Sequence, residues 1–207
     1  MFGFVGVVSR TEQDLPAFSG SSIQFEKFKF HSKFKLFPEK EDGQNFSCSD
    51  GSIVKILGLF FSASKPPKSL NNFEEIADGS FTAFAATPNE FRIYADPCGW
   101  RSIYFREEGS LLYITSNIRY LREYLGLHLE PVPERSIDFL CTSFIPGLET
   151  LTKDVFELPM GNVLEWKGQN KLTIRDYCRY DTLPKFEKIG PPRNSSQRVL
   201  PSRAVII

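Results

Sequence analysis

The sequence predicts an α+β domain dominated by short antiparallel strands. Short apolar stretches recur between clusters of Gly, Pro, Asn and Ser along most of the chain, the texture of strands joined by turns. One segment alternates Phe with Lys, and only a few stretches carry helical spacing. With 207 residues, the chain suffices for one substantial domain and a short appendage.

The opening segment, Phe2 to Ser9, has the apolar and Gly character of a buried strand, expected to be central in its sheet. Thr11 to Ser22, with Pro16 and Gly20, reads as a loop. The next segment sets Phe28, Phe30, Phe34 and Leu36 on one parity and Lys27, Lys29, His31, Lys33 and Lys35 on the other. Period two gives one buried face and one solvated face. Phe28, Phe30 and Phe34 are therefore expected inside, and Lys27, Lys29 and Lys33 outside. A nucleic-acid stripe would put Phe and Lys on one face; here they are separated.

Glu39 to Gly51 is polar and reads as a surface loop. Ser52 to Ser62 is a strand ending before the Lys65-Pro66-Pro67-Lys68 breaker, and Asn71 to Ala77 starts like a helix. Strands follow at Phe81 to Ala86, Phe91 to Ala95 and Ser102 to Phe105. A Glu107-Glu108-Gly109-Ser110 turn precedes a further strand, Leu111 to Thr115. Ile118 to Leu125 and Glu134 to Thr142 have helical spacing. Asn162 to Trp166 and Leu172 to Arg175 form the last hairpin. The breaker-rich stretch Gly190 to Arg198 places the domain at 1–183, with 184–207 a disordered tail or truncated linker. Ser195 to Ile207 is expected to be poorly ordered.

Composition narrows the function classes. At 41% hydrophobic and 24% charged, the chain has the make-up of an ordinary soluble globular protein. Its 20 Phe point to an aromatic-rich core. A net charge of zero gives no pull toward nucleic acid or anionic membrane. No apolar run approaches the roughly 20 residues that span a bilayer. The start does not read as a secretory signal, so the expected location is cytoplasmic. Cys48, Cys98, Cys141 and Cys178 are far apart in sequence, and His31 and His128 are the only histidines. That spacing favours reduced, buried thiols over a metal site.

Four segments resemble the glutamine amidotransferase domain of the asparagine synthetase family. They are Asp78-Gly79-Ser80-Phe81-Thr82-Ala83-Phe84-Ala85, Arg92 to Phe105 with Asp96 and Gly99, Leu112 to Leu121 with Ser116, and Phe144 to Leu151 followed by Leu158-Pro159-Met160-Gly161. Order and spacing hold over roughly half the chain. The resemblance implies a four-layer αββα sandwich of the N-terminal-nucleophile hydrolase type. Read physically, Asp96 and Gly99 suit a tight turn and Ser116 a helix N-cap.

Members of that family begin Met-Cys-Gly-Ile and lose the Met. The Cys thiol then attacks the glutamine amide, with its own amine as base. Here Phe2 stands at the nucleophile position. The family's Arg-Gly-Pro-Asp segment, which grips the glutamine carboxylate, has no match; the nearest basic residues are His31 and Lys33. Its Asn-Gly oxyanion pair best fits Leu57 and Gly58, which removes the Asn donor.

The resemblance therefore implies a glutaminase-dead amidotransferase-like domain of an ATP-dependent amide ligase, as in β-lactam synthetases and lasso peptide cyclases. ATP and Mg would belong to an ATP-pyrophosphatase synthetase domain, absent here, which would be the partner; no Ser-Gly-Gly-x-Asp-Ser loop occurs in this sequence. Two alternatives stand beside it. One is part of a functional glutamine-hydrolysing asparagine synthetase completed by another chain, and the other is a soluble α+β interaction protein.

Overall fold

The computed structural model describes residues 3–17, 30–37, 44–61, 67–168 and 172–178. Phe2, Lys27, Phe28, Lys29 and the segment 184–207 with its boundary at 183 lie outside the described residues. Strands β1 (Gly3–Ser9), β2 (His31–Phe37), β3 (Gln44–Ser47) and β4 (Ile53–Phe60) come first, then helix α1 (Leu70–Ile76). Next are β5 (Gly79–Ala86), β6 (Phe91–Ala95), β7 (Tyr104–Glu108), β8 (Leu111–Thr115), α2 (Ile118–Leu125) and α3 (Pro133–Thr142). Strands β9 (Phe156–Glu157), β10 (Asn162–Trp166) and β11 (Leu172–Asp176) close the series.

The strands make two sheets, ordered β2-β1-β8-β7-β9 and β11-β10-β6-β5-β4-β3, with antiparallel pairing throughout. Side-chain parity then builds three apolar layers. Phe4, Val8, Phe34 and Leu36 of the first sheet meet Leu57, Phe84, Ile93, Leu164 and Trp166 of the second. Opposite parity sends Val5, Val7 and Tyr113 outward onto Leu121 of α2. In the second sheet it sends Val54, Ile56, Phe81, Ala83 and Tyr94 onto Leu70 and Phe73 of α1. Helix, sheet, sheet, helix is the expected αββα order.

Strand β1 lies between β2 and β8, with every residue buried, so its ladder is satisfied on both sides. Phe30 and Phe34 face the interior, while Lys33 is half-exposed. The lysine face of β2 is not simply solvated. Lys35 Nζ sits 4.7 Å from the Tyr124 ring centre and 5.8 Å from that of Phe37, a cation–π contact that α2 provides.

Four local expectations need correction. Gln44–Ser47, read within a loop, is edge strand β3; Gln44, Asn45 and Ser47 are exposed and only Phe46 packs on the core. Glu107 and Glu108 belong to strand β7, so the hairpin turn is Gly109-Ser110. Ser116 does not cap α2: Asn117 does, its side chain accepting from Arg119 N at 3.1 Å. The thiols are not uniformly buried either. Cys48 is buried, Cys178 half-buried, and Cys98 and Cys141 exposed.

Outside the second sheet, an ion network clamps α1. Arg175 makes a bidentate pair with Glu74, at 2.7 and 3.0 Å, and reaches Glu165 at 2.9 Å. Arg92 bridges Glu90 and Glu74, and Tyr94 Oη donates to Glu74 at 3.0 Å. Burial, then the charge of Glu74, pushes the Tyr94 phenol well up, so the phenol stays a donor.

Lys55 is the outlier of the inner layer, since it shares parity with Ile53 and Leu57, and burial holds its ammonium below the ordinary 10.5. The unfolded chain therefore keeps this proton to higher pH than the native state. The resulting cost is full at neutral pH and fades as pH rises toward 10.5. Lys55→Met should raise the melting temperature at pH 7, and the gain should shrink in melts at successively higher pH.

Candidate functional site

The amino-terminal end of β1, the β4 segment Leu57-Gly58 and the β6–β7 loop converge at one end of the sandwich. Gly3 pairs with Phe37 and leads into Phe4. Phe4 N donates to Ser116 Oγ at 2.8 Å, and Thr115 Oγ1 donates to Phe4 O at 2.9 Å. Ser116 thus anchors the start of β1 instead of capping a helix. A Cβ at Gly3 would stand 3.1 Å from Tyr120 Cε2, so α2 walls this end closely.

Leu57 is fully buried and shares the inter-sheet layer with Phe4 and Phe84; the Phe4 and Phe84 rings meet edge-on at 5.3 Å. Gly58 has φ +111, and a Cβ there would lie 2.5 Å from Ser80 O and 2.9 Å from Arg101 Cζ. Only glycine fits that backbone and that close approach. A guanidinium therefore lies over the position that the sequence resemblance gives to the oxyanion glycine.

Arg101 gets there through Asp96. The buried Asp96 carboxylate accepts from Cys98 N and Trp100 N at 3.0 and 3.1 Å through Oδ1, and from Arg101 N at 3.2 Å through Oδ2. Burial pushes this carboxyl up, and the hydrogen bonds from the Trp100, Cys98 and Arg101 amides oppose that rise. Gly99, at φ +67, completes the turn. The expected turn role of Asp96 and Gly99 is what the geometry displays.

The basic residues nearest in sequence to the unmatched carboxylate-gripping segment lie elsewhere. His31 pairs with Ser9 and Lys33 with Val7, several residues along β1 from Gly3. At about 3.3 Å per residue, His31 stands roughly 20 Å from the Gly58 end. The cation that does lie against Gly58 is Arg101, which the sequence reading did not single out. Thr82 was missed as well. It pairs with Leu57, is buried on the same face, and its Oγ1 has no hydrogen-bond partner among the described residues. An orphan hydroxyl in an apolar layer costs about 1–3 kcal/mol.

The rim of this end is apolar. Leu59, Phe61, Trp100 and Met160 are all more than half exposed. Helix α3 carries Ile137, Leu140 and Cys141 at i, i+3, i+4 spacing, none of them buried, and Phe144 beyond its C-cap Ser143 is exposed too. A cavity of about 370 Å³ lies elsewhere, between β7, β9 and β11, lined by Phe105, Phe156 and Leu172 together with Arg106, Glu107, Glu108 and Asp154. Among the described residues no group of three or more His, Cys, Asp and Glu could hold a metal ion. No helix there is long and apolar enough to cross a membrane.

No protein-family model matches this sequence, and no curated protein matches it. Among solved structures, the chain is similar to a glutamine phosphoribosylpyrophosphate amidotransferase from B. subtilis, complexed with ADP and GMP, at 11% identity and a TM-score of 0.39. It is also similar to a structure described as the allosteric regulatory enzyme of purine biosynthesis, at 9% identity and a TM-score of 0.37. Each likeness covers 84% of this chain but 43% of the other, so the chain spans less than half the length of either. The fold assignment rests on the strand pairing and the three apolar layers rather than on these likenesses.

Proposed function

We propose that this chain is an amidotransferase-like domain without glutaminase activity, serving as the scaffold or binding domain of an asparagine synthetase-like, ATP-dependent amide ligase. The observation that carries the reading is Leu57. A buried hydrocarbon side chain occupies the place that the resemblance gives to the amide donor, beside a Thr82 hydroxyl that has no hydrogen-bond partner among the described residues. Removing one oxyanion donor costs about 10²–10³ in rate, and Phe2 supplies neither thiol nor hydroxyl at the nucleophile position. The apolar rim and the uncovered stripe of α3 suit a domain that works against a partner surface.

The chemistry would then reside on the partner, an ATP-pyrophosphatase domain that adenylates a carboxylate for attack by an amine. The test pairs this chain with an ATP-pyrophosphatase protein encoded beside it and follows AMP, pyrophosphate and amide. The proposal expects amide formation with a free amine or ammonia, enhanced by this chain, and none above background with glutamine as nitrogen source. Efficient use of glutamine would instead favour a glutamine-hydrolysing synthetase completed between chains. No effect of this chain on the partner would leave an α+β interaction protein of another kind.

A further inference from the structure

The β6, β10 and β11 strands lie side by side, and their pairing runs on past their ends through one residue. Gly161 N donates to Asp96 O at 3.0 Å, while Gly161 O accepts from Tyr177 N at 3.0 Å and Cys178 N at 3.2 Å. The turn after β6 folds against the same place. Cys98 N donates to the Asp96 carboxylate at 3.0 Å, and a Cβ at Gly99 would lie 3.0 Å from Met160 Cβ. Tyr177 Oη donates to Ala95 O at 2.6 Å. Cys98 and Cys178 are thus held on two segments bonded to a shared Asp96–Gly161 junction, and both are free thiols.

The two thiols differ. Cys98 is exposed and Cys178 half-buried. Burial, then the nearby charge of Cys98 and that of Asp78, holds the Cys178 thiol above its ordinary value. The backbone bonds through Gly161 are what set the Cys98 turn and the Cys178 segment side by side.

We propose that Cys98 and Cys178 form a peroxide-responsive dithiol whose oxidation fastens the segment leaving β11 to the turn after β6. The Cys98 thiolate attacks hydrogen peroxide, giving Cys98–SOH and hydroxide. Cys178 loses its proton, its sulfur attacks the Cys98 sulfur, and the S–O bond breaks as the S–S bond forms, with the oxygen leaving as hydroxide. Two thiols give up two electrons and two protons, and one peroxide becomes two waters. This is independent of the ligase reading.

The test treats the full chain with hydrogen peroxide and digests it without reductant for mass spectrometry. The expected product is a monomer lighter by about 2 Da, with a Cys98–Cys178 linked peptide and two of the four thiols lost to titration. Its rate should climb with pH, because attack on peroxide and attack on the sulfenic acid each need a thiolate. Cys98→Ser and Cys178→Ser should each abolish the linkage, and Cys48→Ser and Cys141→Ser should leave it. Cys98 is exposed, so its variant keeps the fold and carries the test even where Cys178→Ser does not. Sulfinic acid at Cys98 without a linked peptide, linkage only between molecules, or a rate indifferent to pH would overturn the proposal.

Discussion

Phe34→Ala should cost the fold about 3–5 kcal/mol, measured by urea unfolding. Phe34 is fully buried, and its ring centre lies 4.8 Å from that of Phe84 on the opposing sheet. The ring also lies directly on Gly6, its cross-strand partner, where a Cβ would come within 2.1 Å of Phe34 Cδ1. Gly6 is therefore the floor that lets the ring bridge the two sheets. Gly6→Ala should cost about 1–3 kcal/mol by overpacking, but little once Phe34 is Ala, because the clash is gone. A double-mutant cycle should return a coupling of at least about 1 kcal/mol. Additive costs would mean that the ring does not rest on Gly6.

Phe2→Cys should fail to create a glutaminase. The new thiol, confirmed by mass as the first residue after loss of Met1, would have a nucleophile and a base. The position that the resemblance gives to the oxyanion donor would still hold Leu57, a buried side chain with no hydrogen to donate. The missing donor alone is worth about 10²–10³ in rate. Ammonia release by the single variant should stay at the level of the unmodified chain. Clear turnover would remove Leu57 from the oxyanion position while leaving the sandwich untouched.

The sheets were largely legible in the sequence because their signals are local. Strands β6, β8 and β10 and helix α2 have the bounds their periodicity predicts, and α2 ends on Gly126 at φ +68. Edge strand β3 was not legible, since Gln44–Ser47 is polar and gains its extended form from pairing with β4. The two-residue β9 carries no periodicity at all.

At the candidate site the sequence offered two patterns, Leu57-Gly58 through the resemblance and Asp96 as a turn residue. Arg101 reaches Gly58 because the Asp96 carboxylate gathers three backbone amides into one turn. Nothing about an isolated Arg in a sequence announces that. Thr82 hides for the opposite reason: a β-branched residue is ordinary in a strand, and its orphan hydroxyl emerges only when Leu57 is found beside it.

The most direct measurement is glutamine hydrolysis by the unmodified chain, followed as ammonia released over hours at high enzyme concentration. A kept fold with a lost reaction predicts release no faster than from glutamine alone. Robust turnover by this chain, with Phe2 and Leu57 in place, would contradict the account at its centre.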